Sequence, residues 1–168
     1  ATYNHEKWIS QAIEGVLMQI TKFRIELVIG DDCSNDRTKE TINTYYNKYP
    51  EIIRPYFNKE NYGLSVNFSQ LLNCCNGDYI AICEGDDFWT DRDKLQKQVE
   101  FLDANPGFIM TSHNFSKLYE STGTEVHSYK YGSDFNYDQR RSIKEWVTQP
   151  VTCVFKNIFH DYTMFNKE

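Results

Sequence analysis

Along "KWISQAIEGVLMQI" the apolar residues Trp8, Ile9, Ala12, Ile13, Val16, Leu17 and Ile20 return at three- and four-residue intervals, so the segment predicts a helix with one buried face. "FRIELVIGDD" follows, a short run rich in Ile and Val that halts at Gly30 and reads as a buried strand. Helical period resumes through Thr38, Ile42, Tyr45 and Tyr49, with Ser34 to Asp36 as caps and Pro50 as terminator. "EIIRPYFN" predicts a strand in which Pro55 suits an edge or an end. Leu64, Phe68, Leu71, Leu72 and Cys75 mark a third amphipathic helix, closed by Asn76 and Gly77. "DYIAIC" is the most apolar strand, Leu95, Val99 and Leu102 are the stripe of a helix that "NPG" ends, and "FIMTSHNF" is a strand after it. Helix and strand alternate throughout, which predicts a parallel α/β sheet covered on both faces.

Two departures from that rhythm matter. An alternating sheet of this kind is expected to open on a strand, yet a helix begins a few residues after Ala1, so the chain reads as cut at its front. Beyond about residue 120 the pattern fades into polar, Tyr-rich sequence ("EVHSYKYGSDFNYDQRR"), with a helix expected around Ile143 to Val147 and a strand at "VTCVF".

The chain of 168 residues suits one domain with its own core. With 40% apolar residues, twelve Tyr and eleven Phe it is too hydrophobic for a disordered chain. Its net charge of −6 comes without a basic run, which argues against a nucleic-acid partner. No apolar run approaches the roughly twenty residues that span a bilayer, and no charged-then-apolar leader opens the chain, so a soluble segment is expected. The five cysteines are odd in number and include the vicinal pair Cys74 and Cys75 but no C-x-x-C. They are expected to be small buried thiols in a reducing compartment, and not a disulfide frame or a zinc site. His5, His113, His127 and His160 lack a second ligand at metal-binding spacing, so a structural or solvated role is expected for each.

Ligands of open parallel sheets bind beyond the carboxyl ends of the strands, and both of the most apolar strands end in acid there: "GDDCSND" after Ile29, "EGDDFW" after Cys83. Crowded carboxylates repel unless a cation sits among them, and hard oxygen ligands select Mg²⁺, Mn²⁺ or Ca²⁺. Asp32, Ser34 and Asp36 have the spacing of a helix-loop-helix calcium loop, but Arg37 stands where that loop needs Gly and Asn43 where it needs Glu. Mg²⁺ or Mn²⁺ held by one or two carboxylates, with phosphate and water completing the shell, fits better and points to a metal-bridged nucleotide.

"TYNHEKWISQAIEGVLMQ", "ELVIGDDCSNDRT", "NYGLSVNFSQLL" and "GDYIAICEGDDFWTDRDKLQKQVEFLDANP" together resemble, in order and spacing, a family 2 glycosyltransferase of the GT-A fold, over roughly residues 2 to 115. The resemblance implies a Rossmann-like, mostly parallel sheet with helices on both faces. It makes residues 1–120 the donor-binding α/β part and 121–168 the start of the acceptor-side region of the same domain. The implied reaction is transfer of a sugar, with inversion, from a nucleotide-diphosphate sugar (a UDP-sugar is favoured) to an acceptor hydroxyl on a glycan or lipid-linked molecule. The setting it implies is cell-surface polysaccharide or lipopolysaccharide synthesis, in the cytoplasm or peripherally at the inner membrane face.

Carried over by position, Tyr3 matches the aromatic residue on the nucleotide base, and Asp32 the residue that hydrogen-bonds the base, leaving Asp31 as a loop or cap residue. Asn61, Gly63 and Asn67 match an N-x-G-x-x-x-N motif near the nucleotide sugar. Glu84 to Asp87 match the D-x-D metal motif, with Glu in the first Asp position: Asp86 is expected on the donor sugar and the metal, Asp87 on the metal, and Glu84 near the sugar or behind it. Blander readings stand beside these. Asp32 could cap a helix, Asn61 and Gly63 could form a turn, and the acidic stretch could be solvated with Asp91 or Asp93 capping the next helix. Phe88 and Trp89 are expected to pack. The general base falls in a region that the resemblance does not match; none of Asp134, Asp138, Glu145 and Asp161 has the expected setting, so the base is expected outside this chain. Two other classes remain: a nucleotide-sugar binding module without catalysis, and a phosphoacceptor domain, for which Lys156 is a poor candidate lysine.

Overall fold

The computed structural model describes residues 1–128 and 149–158. The elements in chain order are α1 (Ile9–Leu17), β1 (Leu27–Asp31), α2 (Thr38–Lys48), β2 (Ile53–Phe57), α3 (Leu64–Cys74), β3 (Tyr79–Ala81), α4 (Lys94–Ala104), β4 (Met110–Thr111), β5 (Phe115–Tyr119), β6 (Thr124–Ser128), a 3₁₀ turn (Pro150–Thr152) and β7 (Val154–Lys156). The helix expected around Ile143 to Val147 and the late carboxylates Asp134, Asp138, Glu145 and Asp161 lie outside the described residues.

β1 and β2 pair in parallel, Leu27 opposite Ile53 and Asp31 opposite Phe57. β7 lies antiparallel between β3 and β4, pairing Ile80 and Met110 with Phe155. β3 and β4 thus run the same way, and the one reversed strand comes from the "VTCVF" segment. Alternation of side chains sorts the two faces. Ile29 and Ile53 meet Ile9 and Ile13 of α1 and Ile42 of α2, while Val154 packs with Leu95, Val99 and Leu102 of α4. On the other face Ile80 packs on Leu72 of α3. Gly30 also faces α3: a Cβ there would stand 2.6 Å from Asn67 Oδ1 and 2.7 Å from a Leu71 methyl, so only glycine lets α3 approach β1 this closely.

Several details differ from the sequence expectation. α1 ends at Leu17, which leaves Ile20 beyond the helix and half exposed, and Leu64, at the first turn of α3, projects past the sheet at 67% exposure. "FIMTSHNF" is not one strand: Met110 and Thr111 form β4, and Phe115 already opens β5 of the β5–β6 hairpin, which the apolar pattern did not announce because its side chains are mostly exposed. Cys153 alone is fully buried and the other four thiols are half buried; all five are free.

The two sheets meet through the first residues of the chain. Thr2 bridges β1 in parallel, its N–H on the Gly30 carbonyl (2.9 Å) and its carbonyl taking the Asp32 N–H (3.0 Å), while the Ala1 carbonyl takes the Gly85 N–H (3.0 Å). Beside this bridge a small cavity of about 30 Å³ is lined by Ile9, Ile13, Val16, Leu27, Ile29 and Cys83, among others. Thr2 stands where the expected leading strand would run.

Candidate functional site

The loop after β1 is built around two buried carboxylates with separate duties. Asp31, 1% exposed, accepts the Ser34 N–H (3.1 Å) and the Ser34 hydroxyl, which makes it the loop residue of the pair. Asp32, 2% exposed, accepts the Tyr62 N–H (3.0 Å) and the Asn58 amide (2.8 Å) on one oxygen and the Gly63 N–H (2.8 Å) on the other. It therefore ties the end of β1 to the turn that enters α3. Gly63 occupies φ +84°, a conformation that costs an L side chain strain, and its N–H is also held by Asn61 Oδ1 (3.0 Å). Asn67 is 3% exposed beneath this turn and donates its amide to the Gly30 carbonyl (3.1 Å). The N-x-G-x-x-x-N residues are thus gathered around Asp32, with Asn67 in the packed layer between α3 and β1 and Asn61 on the surface.

Residues 3 to 6 are laced onto the same loop. The Asn4 N–H reaches Ser34 Oγ (2.9 Å), the His5 N–H reaches Thr38 Oγ1 (2.8 Å), and the Glu6 N–H reaches Asp36, whose other oxygen takes the Thr38 N–H at the start of α2. Tyr3, 40% exposed, stands on this edge.

Beyond β3 the chain bends sharply, the Asp87 N–H closing on the Glu84 carbonyl (3.1 Å). Gly85 is buried against Thr2 and His5: a Cβ there would stand 2.5 Å from Thr2 Oγ1 and 2.7 Å from His5 Nδ1. This close approach sets the acidic bend against the same N-terminal segment that borders Asp32. Asp86 is exposed, while Glu84 and Asp87 are half buried. Burial, with repulsion from Asp86 and Glu84, pushes the Asp87 carboxyl up to about 6, against a smaller downward pull from His5. Burial and Asp86 likewise push Glu84 up. The bend is a concentration of negative charge that its surroundings do not neutralise.

Trp89 and Phe88 divide as packing and surface: Trp89 is buried with its Nε1–H on the Val151 carbonyl (2.9 Å), and Phe88 is 40% exposed. Asp91 takes the Asp93 N–H (2.9 Å) before α4. His5 is the site residue that sequence reasoning set aside. Its Nδ1 comes 3.9 Å from Asp86 Oδ1, and nothing in its spacing along the chain signals a partner 81 positions away.

Among the described residues, no three His, Cys, Asp or Glu side chains converge as a preformed metal cage. The donor chemistry fits a hard divalent ion held by one or two carboxylates, because Asp87, raised first by burial and then by repulsion from Asp86 and Glu84, is a carboxylate whose charged form a cation would favour. No helix among the described residues is long and apolar enough to cross a membrane.

Comparison with known proteins meets this geometry from outside. The chain is 36% identical over 101 residues to Bacillus subtilis TuaG, assigned as a teichuronic acid biosynthesis glycosyltransferase, covering 60% of this chain and 39% of that protein. Its fold matches Staphylococcus aureus TarS 1-349, solved with UDP-GlcNAc, at TM-score 0.65 and 22% identity, over 93% of this chain and 43% of the other. It also matches the Pyrobaculum calidifontis mannosyltransferase PcManGT, solved with GDP-Man and Mn²⁺, at TM-score 0.59 and 23% identity, over 66% and 32%. The chain spans little more than a third of the curated relatives it matches, 34% of one and 39% of another. The fold is therefore the α/β architecture of GT-A enzymes. With the profile of that family matching residues 1–162, the chain belongs to glycosyl transferase family 2.

Proposed function

We propose that this chain is the donor-binding part of an inverting glycosyltransferase that takes a sugar from a nucleotide-diphosphate sugar, a UDP-sugar by preference. The observation that carries this is the charge balance of the bend after β3: three neighbouring acids, two with carboxyls raised by burial and mutual repulsion, set beside the loop that Asp32 organises. In this reading Asp86 and Asp87 hold Mg²⁺ or Mn²⁺, Glu84 and Asp86 face the donor sugar, and Tyr3 and Asp32 receive the base. Asn61 and Gly63 border the nucleotide sugar, and Asn67 acts from the layer below. When bound, the ion supplies positive charge against the departing diphosphate. Asp32 binds the base through oxygen lone pairs not taken by Asn58, Tyr62 and Gly63, so the pocket and the turn into α3 form together. The presence of UDP-GlcNAc in one structural neighbour and of Mn²⁺ with GDP-Man in another supports this class of ligand.

In the same reading residues 121–168 begin the acceptor side, and the general base is supplied from outside this chain. The TuaG similarity supports a role in polysaccharide synthesis; in this reading the acceptor is a glycan or lipid-linked molecule met at the cytoplasmic face of the membrane. Calorimetric titration with UDP, with and without Mn²⁺, tests the reading on the wild type and on Asp86→Ala combined with Asp87→Ala. Metal-dependent binding lost in the double variant is expected; binding that ignores both metal and substitution overturns it. Donor hydrolysis or transfer by the longer natural protein separates an enzyme from a non-catalytic nucleotide-sugar module.

A further inference from the structure

Two buried polar atoms beside the bend after β3, Thr2 Oγ1 and His5 Nδ1, have no hydrogen-bond partner among the described residues. Thr2 is 3% exposed, and both atoms look at Gly85, within 2.5 and 2.7 Å of where its Cβ would stand. The His5 ring is fixed from behind. Its backbone N–H is held by Thr38 Oγ1 at 2.8 Å, and Trp8 stands edge-on to it at 5.8 Å and 82°. Trp8 is in turn anchored by its indole N–H on Glu120, in the turn of the β5–β6 hairpin. Asp86, by contrast, is open to solvent: its side chain is 54% exposed, and its Oδ1 lies 3.9 Å from His5 Nδ1, just outside hydrogen-bond range. A buried, unpartnered ring nitrogen thus faces an exposed carboxylate.

We infer that His5 is a positioning residue for Asp86, its Nδ1–H holding one carboxylate oxygen so that the other is presented to the cation. This rests on the donor-site reading above. Carboxylates that bind metal are themselves hydrogen-bonded, and loss of such an outer partner commonly weakens metal binding about 10- to 100-fold. The test is Mn²⁺ binding in the presence of UDP, read from the electron paramagnetic resonance of free Mn²⁺, on the wild type, His5→Ala and His5→Asn. An Asn amide places an N–H close to the Nδ1 position. The expected result is about 10- to 100-fold weaker Mn²⁺ binding in His5→Ala, recovery of most of it in His5→Asn, and metal-free UDP binding unchanged in both. Should Ala at this position prevent folding, His5→Gln replaces it, since its amide reaches toward the Nε2 position and is expected not to rescue. Wild-type affinity in His5→Ala, or equal weakening in His5→Asn, overturns the inference and leaves the donor site intact. A wild type that binds no Mn²⁺ with UDP overturns the donor-site reading and this inference together.

Discussion

Replacing Asp87 by Asn should make the ligand-free protein more stable while abolishing its metal-dependent nucleotide binding. The Asp87 carboxyl rises from an ordinary 3.8 to about 6, chiefly through burial and then through Asp86 and Glu84. A raised acid holds its proton more tightly in the folded chain than in the unfolded one. Its penalty is therefore absent below pH 3.8, grows as the pH climbs through the window to about 6, and is complete above it. A shift of about two units corresponds to about 3 kcal/mol, and solvent screening of a half-buried side chain brings that to about 1–2 kcal/mol. For a chain of this size that is a rise in Tm of about 2–8 °C for Asp87→Asn at pH 8. Scanning calorimetry of wild type and variant at pH 8 and pH 4 checks it, because contributions from other groups cancel in the difference. An advantage of equal size at both pH values, or a variant less stable than wild type at pH 8, would refute the reasoning. So would wild-type Mn²⁺-dependent UDP binding in the variant, which would detach the charge strain from the site.

Three further outcomes follow from the geometry. Asp32→Ala strands the Tyr62 N–H and leaves the Gly63 N–H to Asn61 and the Asn58 amide to Asn67, so urea denaturation should register a loss of about 1–3 kcal/mol; an unchanged midpoint counts against the clamp. Gly85→Ala drives a methyl into Thr2 and His5 and should cost about 1–3 kcal/mol with loss of Mn²⁺-dependent UDP binding, whereas Gly107→Ala, with open space around it, should be near neutral in the same thermal scan. Burial pushes Glu26 up, yet the Asn76 N–H (2.6 Å) and the Arg54 guanidinium (2.6 Å) hold its carboxyl below 4.5. Its stabilisation is present above pH 4.5 and lost as the pH falls through the lowered value, so Glu26→Gln should lose about 1 kcal/mol at pH 7 and flatten the acid limb of denaturation curves collected between pH 3 and 7.

Elements whose stabilising contacts are periodic were readable in the sequence. Ile9, Ala12, Ile13 and Val16 place α1, and Ile42 anchors α2, because each buries one stripe against a neighbouring layer. The reversed strand β7 was not readable as such: three residues carry no direction, and its partners lie some seventy and forty positions earlier. The β5–β6 hairpin hid for another reason. Leu118 and Val126 are both near half exposed, so selection for burial leaves little alternation, although "TG" at Thr122–Gly123 marked its turn and Gly123 sits at φ +65°. Within the site, the candidate residues around Asp32 and Asp86 could be named only through the family resemblance, whereas Asp32's burial under the Tyr62–Gly63 turn and the approach of His5 to Asp86 depend on how distant segments stack.

Among the described residues the sheet's two halves, β1–β2 and β3–β7–β4, share no strand ladder; Ala1 and Thr2 join them with three backbone hydrogen bonds. α3 lies across both halves, packing on β1 at Gly30 and on β3 at Ile80, and Leu27 packs against the clusters on both sides, so side chains carry more of the join than those three bonds do. A ligand engaging both the Asp32 loop and the Asp86 bend would span the same join from its edge, and should slow amide exchange at Ile29 and Ile80 together.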